Sequence, residues 1–134
     1  GERGPSASAE PPARAPDLVF DIPTLPQQAL LYRMCGDRNP LHSDPGFAAA
    51  AGFPRPILHG LCTYGMTCKA LVDAVLDGDA TRVGGFGGRF AGVVFPGETL
   101  RASVWQEGAR HVVVVTAPGR DDAAVLSGVE LRAA

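Results

Sequence analysis

Three polar side chains that can move or orient protons lie close together in the segment YRMCGDRNPLH. Asp37 supplies a carboxylate, Asn39 a carboxamide and His42 an imidazole. A carboxylate and an imidazole can each transfer protons, and a carboxamide can orient a water or a substrate without titrating. Their spacing indicates a general acid–base site.

The alternative for this segment is purely structural. Asp37 would cap a helix, Asn39 would make a turn and His42 would be a satisfied polar residue, and each residue taken singly is more often structural than catalytic. However, the segment runs across a predicted helix end and a proline-containing turn, where rigid flanking elements can aim several side chains at one point. Taken together, the three residues favour a site.

The elements that must position this segment begin with a short strand predicted over Asp17–Ile22. Thr24 and Gln27 have the spacing of a capping box, which predicts a helix that runs to about Cys35. Gly36 is suited to the left-handed conformation that ends such a helix.

Two more helices are predicted after the segment. Asp44 followed by Pro45 is a start signal, and Gly52 closes this shorter helix. From about Leu61 to Leu76 apolar residues occupy most of the helix circumference, with Lys69 and Asp73 four apart on the polar remainder. The sequence therefore predicts one long, mostly buried helix.

The rest of the chain changes to β-branched and alternating patterns separated by turn residues. The predicted strands are Thr81–Ala91, Leu100–Glu107, His111–Ala117 and Ala123–Leu131. A long helix followed by consecutive antiparallel strands is an α+β order. We expect a sheet wrapped around that helix.

Composition limits the classes of protein to consider. The 134 residues fit one domain, and a net charge of -2 offers no basic field for nucleic acid. No apolar run is long enough to span a membrane, and the amino end lacks the apolar part of a secretory signal. Three cysteines without paired spacing argue against a disulfide framework or a zinc ribbon. Together with arginine-rich, lysine-poor usage, these features predict a cytoplasmic bacterial protein.

Residues 1–16 are rich in proline and alanine and have no hydrophobic period, which predicts a linker or extended tail. The folded domain is expected to occupy residues 17–134.

Two stretches of the chain resemble MaoC-like (R)-specific enoyl-CoA hydratases, including the hydratase part of peroxisomal multifunctional enzymes. They are LLYRMCGDRNPLHSDPGFAAAAGFPRPILHGLCTYG and, after it, GRFAGVVFPGETLRASVWQEG. The likeness extends from about Asp17 to the end of the chain.

The resemblance implies a hot-dog fold and assigns the catalytic roles to Asp37, Asn39 and His42. It places the oxyanion-binding backbone N–H at Gly60. It implies no cofactor, since CoA is part of the substrate, and an acyl-CoA or acyl-carrier thioester as that substrate. Members of this type carry a first hot-dog half before a proline-rich linker, and only linker-like residues are expected here. A homodimer, or pairing with a second hot-dog half, is therefore predicted.

The implied activity is the reversible syn addition of water to a trans-2-enoyl-CoA, giving a (3R)-3-hydroxyacyl-CoA. His42 is expected to activate the water and Asp37 to handle the α-proton, although the sequence does not separate the two roles. Gly60 opens the long helix, where backbone donors and the positive helix end favour an enolate oxygen.

Three further residues are weaker candidates for contact with the substrate. His59, Arg89 and Phe95 are candidate substrate contacts, and His59 can alternatively pack beside the oxyanion turn. His42, His59 and Asp37 can be imagined as metal ligands, but the spacing of the two histidines matches no standard zinc pattern, so no metal site is predicted.

Three other functions stay open. A 3-hydroxyacyl thioester dehydratase would run the same reaction in reverse, and a hot-dog thioesterase would hydrolyse the thioester. A non-catalytic hot-dog subunit would have no chemical use for the three polar side chains. The sequence does not indicate acyl-chain length, branching, carrier or physiological direction.

Overall fold

The structure is a computed structural model that describes residues 9–134. It contains a five-stranded antiparallel sheet with the strand order β1-β3-β4-β5-β2. The strands are β1 (Leu18–Pro23), β2 (Val83–Phe90), β3 (Thr99–Glu107), β4 (Arg110–Ala117) and β5 (Ala123–Ala133). The helices are α1 (Gln28–Tyr32), α2 (Pro45–Ala50) and α3 (Gly60–Val75). The predicted order of elements is confirmed, except that the predicted strand Thr81–Ala91 begins later, at Val83, after a short 3-10 helix, Ala80–Arg82.

The sheet wraps around α3 because alternate strand residues face the helix. On β4, Val113 and Val115 belong to the main core, which also holds Leu71 and Val72 of α3. All four side chains are at least nine-tenths buried. This arrangement is the predicted α+β hot-dog fold.

The opposite face of the sheet is covered by the segment that precedes β1. Ala9 packs against Trp105 and Val112, and the indole N–H of Trp105 donates a hydrogen bond to the Arg14 carbonyl at 2.8 Å. The Arg14 guanidinium donates to Asp17 and to a backbone carbonyl of β3. The part of the predicted tail that the structure describes therefore packs on the sheet. The first eight residues of the tail lie outside the described part.

The predicted capping box at Thr24 is wrong. The Thr24 hydroxyl donates to the carbonyl of Glu98 and accepts the N–H of Gly97, so it joins two segments distant in sequence. Helix α1 begins later, and its N-cap residue, Gln27, makes no side-chain capping bond. The hydroxyl of Thr24 bonds across to the turn before β3 instead of capping its own helix.

The other helix ends follow the sequence signals. Gly36 has φ of 116°, which ends the turn that follows α1 in the left-handed region. The carboxylate of Asp44 accepts the backbone N–H groups of Gly46 and Phe47, as an N-cap should. Within residues 9–134, no helix is both long and apolar enough to cross a membrane.

Candidate active site

The loop between Gly36 and His42 is organised by its own side chains. The Asp37 carboxylate accepts the N–H of Asn39 at 3.2 Å, and the Asn39 side-chain oxygen accepts the N–H of Leu41 at 3.0 Å. The Asn39 oxygen therefore caps the short 3-10 turn that ends at His42. Because this oxygen is engaged, Asn39 would act on a water or substrate chiefly through its NH₂ group.

The ring of His42 is fixed by one backbone contact. Its Nδ1 lies 2.8 Å from the carbonyl oxygen of Ile57. A carbonyl can only accept, so Nδ1 carries the hydrogen and the neutral ring keeps its lone pair on Nε2. His42 is thus oriented in the form that a general base requires.

The structure brings Asp37, His42 and His59 together. One potential ligand atom from each lies within 4.8 Å of the other two. The rings of His42 and His59 are stacked, with centroids 3.8 Å apart and an interplanar angle of 27°. Imidazole lone pairs lie in the ring plane, so stacked rings point them side by side and not toward a shared ion. The cluster is better suited to proton transfer than to holding a metal.

An apolar cleft opens beside His42. Its volume is about 320 Å³, and we refer to it as the His42 cleft. Its walls are formed by His42, Ile57, Leu58, Gly60, Thr63, Phe90, Gly92, Val93, Val94, Val125 and Leu126. A cleft of this size and lining can take an apolar chain whose polar end faces His42.

Gly60 lies at the wall of the same cleft and is the first residue of α3. The first N–H groups of a helix have no acceptor within it, and this end carries partial positive charge. A Cβ built on Gly60 would lie 3.0 Å from Cε1 of Phe90, so glycine keeps this wall open. The predicted oxyanion donor is in a position consistent with that role.

His59 is predicted as a substrate contact, but the structure does not bring it to the cleft wall. Its side chain is only 2% exposed and lies behind the ring of His42. Its Nε2 is 3.1 Å from the carbonyl oxygen of Asp37. Burial lowers the pKa of His59, and the neighbouring His42 acts in the same direction.

Phe95 and Arg89 are also not among the residues that line the His42 cleft. The Phe95 ring is buried, with the guanidinium groups of Arg55 and Arg120 at 4.8 and 5.1 Å from its centroid. Arg89 is exposed on the edge strand β2. The neighbour of Phe95, Val94, lines the cleft in its place.

Sequence reasoning missed Thr63 and Phe90 as cleft residues. Thr63 is buried and lies three residues after Gly60, on the same face of α3, so helical spacing is a signal that could have found it. Phe90 ends β2 and is 60% exposed. Only the pairing of β2 with β5 brings it beside α3, and that pairing is not visible in local sequence.

Residues 7–121 match the family described as MaoC like domain. The chain belongs to this family. Among MaoC-like proteins it is 73% identical over 131 residues to enoyl-CoA hydratase ChsH3 of Mycobacterium tuberculosis, covering 98% of this chain and 46% of that protein. It is 51% identical over 125 residues to 3-hydroxyacyl-thioester dehydratase Y of the same organism, covering 92% and 42%.

A solved structure, the MaoC-like dehydratase of Phytophthora capsici, superimposes with a TM-score of 0.94 at 37% identity. The match covers 100% of this chain and 47% of that one. The chain therefore spans less than half the length of these MaoC-like relatives. Family and fold agree with the resemblance found in the sequence.

Proposed function

We propose that this chain is the hydratase domain of an (R)-specific enoyl-CoA hydratase. The observation that carries the proposal is the placement of His42. Its Nδ1 is held by the Ile57 carbonyl, it lies beside Asp37, and it forms part of an apolar cleft that also reaches Gly60. The enoyl-CoA hydratase name of a 73% identical relative supports the same reaction.

In the proposed reaction, His42 Nε2 accepts a proton from water as the water oxygen bonds to the β-carbon of the enoyl thioester. The electron pair of the double bond moves toward the thioester oxygen, which the N–H of Gly60 stabilises. The proton taken up by His42 then passes to the Asp37 carboxylate, which delivers it to the α-carbon, so both side chains return to their starting forms. Asn39 orients the water or the thioester through its NH₂ group.

Addition from one side follows from this arrangement, because both proton-transfer groups lie in the same small cluster. The product is then a (3R)-3-hydroxyacyl-CoA, as for the family that the sequence resembles. Asp37, Asn39, His42 and Gly60 supply the proton transfers and the hydrogen-bond donors that this reaction needs. We therefore propose that neither a metal nor a cofactor takes part. We also propose a cytoplasmic location and a role in fatty acid metabolism.

The test is incubation with crotonyl-CoA and longer trans-2-enoyl-CoAs. Absorbance of the conjugated thioester should fall without added cofactor, and chiral analysis should give the (3R) product. Predominantly (3S) product, loss of activity with a chelator, or release of free thiol would contradict the proposal. Free thiol would indicate a thioesterase, and complete inactivity of the folded chain would favour a non-catalytic subunit.

The reverse reaction is the second candidate. The relative named 3-hydroxyacyl-thioester dehydratase Y is 51% identical, and the same side chains would remove water from a 3-hydroxyacyl thioester. The two candidates share one equilibrium. Comparing rates with CoA and acyl-carrier thioesters in both directions identifies which substrate the site prefers.

Pairing with a second hot-dog unit is proposed as well, either as a homodimer or with another hot-dog half. Leu61 and Phe90, beside the cleft, are 63% and 60% exposed, and large apolar side chains of this kind are often covered by a partner. A second unit would also add wall to the acyl cleft. Light scattering over a dilution series, run beside the activity assay, should show a dimer. Full activity of a monomer at every concentration would contradict this.

A further inference from the structure

His59 connects the separate parts of the site. Its ring contacts the rings of Tyr32, at a centroid distance of 4.7 Å, and of His42, at 3.8 Å. Its Nε2 reaches the backbone oxygen of Asp37, 22 residues earlier in the chain. The next residue is Gly60, at the start of α3. One buried side chain therefore contacts both segments that supply the proposed chemistry.

The contacts of His59 fix its protonation. The Asp37 carbonyl can only accept, so Nε2 carries the hydrogen. Nδ1 is buried and has no hydrogen-bond partner among the described residues. A proton there would place an unpaired N–H and a charge in a buried position, which is costly. Burial, together with the nearby His42, lowers the pKa of His59, while the Asp37 carbonyl and carboxylate oppose that shift.

We propose that His59 is a positioning residue that fixes the ring of His42 and the backbone of Asp37 against the first turn of α3. This rests on the proposed function, since it assumes that His42 and Asp37 transfer the protons. His59 itself does not touch substrate. An aromatic residue would stack without holding Asp37, and an amide would hold Asp37 without stacking, so a neutral imidazole is the side chain that does both.

Neutrality of His59 matters for the base. A charged ring stacked on His42 would oppose the uptake of a proton from water, because two positive charges would then lie about 4 Å apart. A neutral ring supports the stack without that penalty. The titratable side chains that face His59 are His42, Asp37 and Tyr32.

Three substitutions separate the two contacts. His59→Phe keeps the stack, His59→Gln keeps a donor for the Asp37 carbonyl, and His59→Ala removes both. Misplacing a reacting group by about 1 Å can cost about 100-fold in activity. We expect His59→Ala to lower kcat by that amount with little change in KM, and each of the other two to recover part of the loss.

The matched control is His111→Ala. His111 is also buried, and its Nδ1 has no partner in the described part of the chain, but it lies near the other end of α3, a helix of 16 residues that is about 24 Å long. This variant should lose stability while keeping kcat. Folded His59→Ala with wild-type kcat, or a raised KM with unchanged kcat, would overturn the proposal. If His59→Ala does not fold, full kcat in both the Phe and Gln variants overturns it.

A second measurement does not depend on turnover. The chain has three histidines, so nitrogen-15 spectra of labelled histidine can be assigned with the variants. His59 should be neutral at neutral pH with its hydrogen on Nε2, it should take up a proton at a lower pH than an ordinary histidine, and His42 signals should shift more in His59→Gln than in His59→Phe. A His59 ring that titrates normally overturns the proposal. Inactive wild-type protein with the expected spectra would instead refute only the hydratase function.

Discussion

The two ends of α3 place similar side chains in different surroundings. His59 precedes the first residue of the helix, and His111 lines a hollow of about 400 Å³ at its last turn. Both histidines are buried, and each has an Nδ1 without a partner among the described residues. Only His59 stacks on another imidazole and bonds to a backbone oxygen beside a carboxylate.

The polarity of the helix adds to the difference. Its first residue, Gly60, has no acceptor for its N–H within the helix and lies at the wall of the His42 cleft, whereas at the C-terminal end the carbonyl of Leu76 accepts from Arg82 at 3.3 Å. Developing negative charge is stabilised at the first end and opposed at the second. Burial of a histidine therefore does not distinguish the proposed site from the other end of α3. The convergence of Asp37, His42 and Gly60 at the first end of the helix does.

The largest expected effect is at the first end. Asp37→Asn and His42→Ala each remove a side chain that we propose transfers protons, and such groups contribute about 10²–10⁴-fold in rate. Hydration of crotonyl-CoA should fall by that factor in kcat, while KM changes less. Because the pair acts as a unit, the double variant should lose far less than the product of the two single losses.

A substitution at the second end of α3 supplies the control. His111→Ala should leave kcat near the wild-type value, which separates chemistry from general destabilisation. If folded Asp37→Asn or His42→Ala keeps most of its turnover, that residue does not have the role proposed here.

An intermediate effect is expected from a substitution at Gly60, and Gly65 on the same helix α3 supplies the control. A Cβ on Gly60 would press on Phe90 at 3.0 Å, whereas nothing lies within 4 Å of a Cβ on Gly65. Gly60→Ala should lower kcat/KM by about 10–100-fold by moving the cleft wall and the thioester. Gly65→Ala should leave kcat/KM unchanged and raise the free energy of unfolding by about 0.5–1 kcal/mol. Equal kinetics for the two variants would show that the Gly60 position does not need to stay open.

The smallest effect concerns stability and pH. Burial lowers the pKa of both His59 and His111 in the folded chain, with Asp17 opposing the shift at His111. The unfolded chain binds protons near the ordinary value of about 6.5, so acid favours unfolding. The free energy of unfolding should decline as pH falls below about 6.5, by at most ~1.4 kcal/mol per pH unit for each histidine.

His111→Phe should make this decline shallower without changing turnover at neutral pH. Urea unfolding at several pH values between about 5 and 7.5 measures it. An unchanged pH dependence in His111→Phe would mean that His111 is protonated equally in the folded and unfolded chain.

Much of this organisation was predictable from local pattern. The order of helices and strands follows from periodicity, and the grouping of Asp37 with His42 follows from their nearness in sequence. Other features depend on contacts between distant segments. The hydroxyl of Thr24 bonds to the turn before β3, and Phe90 reaches α3 through strand pairing. Local sequence carries little information about such contacts, because they form only when the sheet closes around the helix.

The docking of the amino-terminal segment on the sheet has a spectroscopic consequence. Trp105 is the only tryptophan of the chain, and its indole is buried under that segment with its N–H on the Arg14 carbonyl. Its emission should therefore respond to release of the segment from the outer face of the sheet. Trp105 fluorescence therefore reports on the face of the sheet that points away from α3.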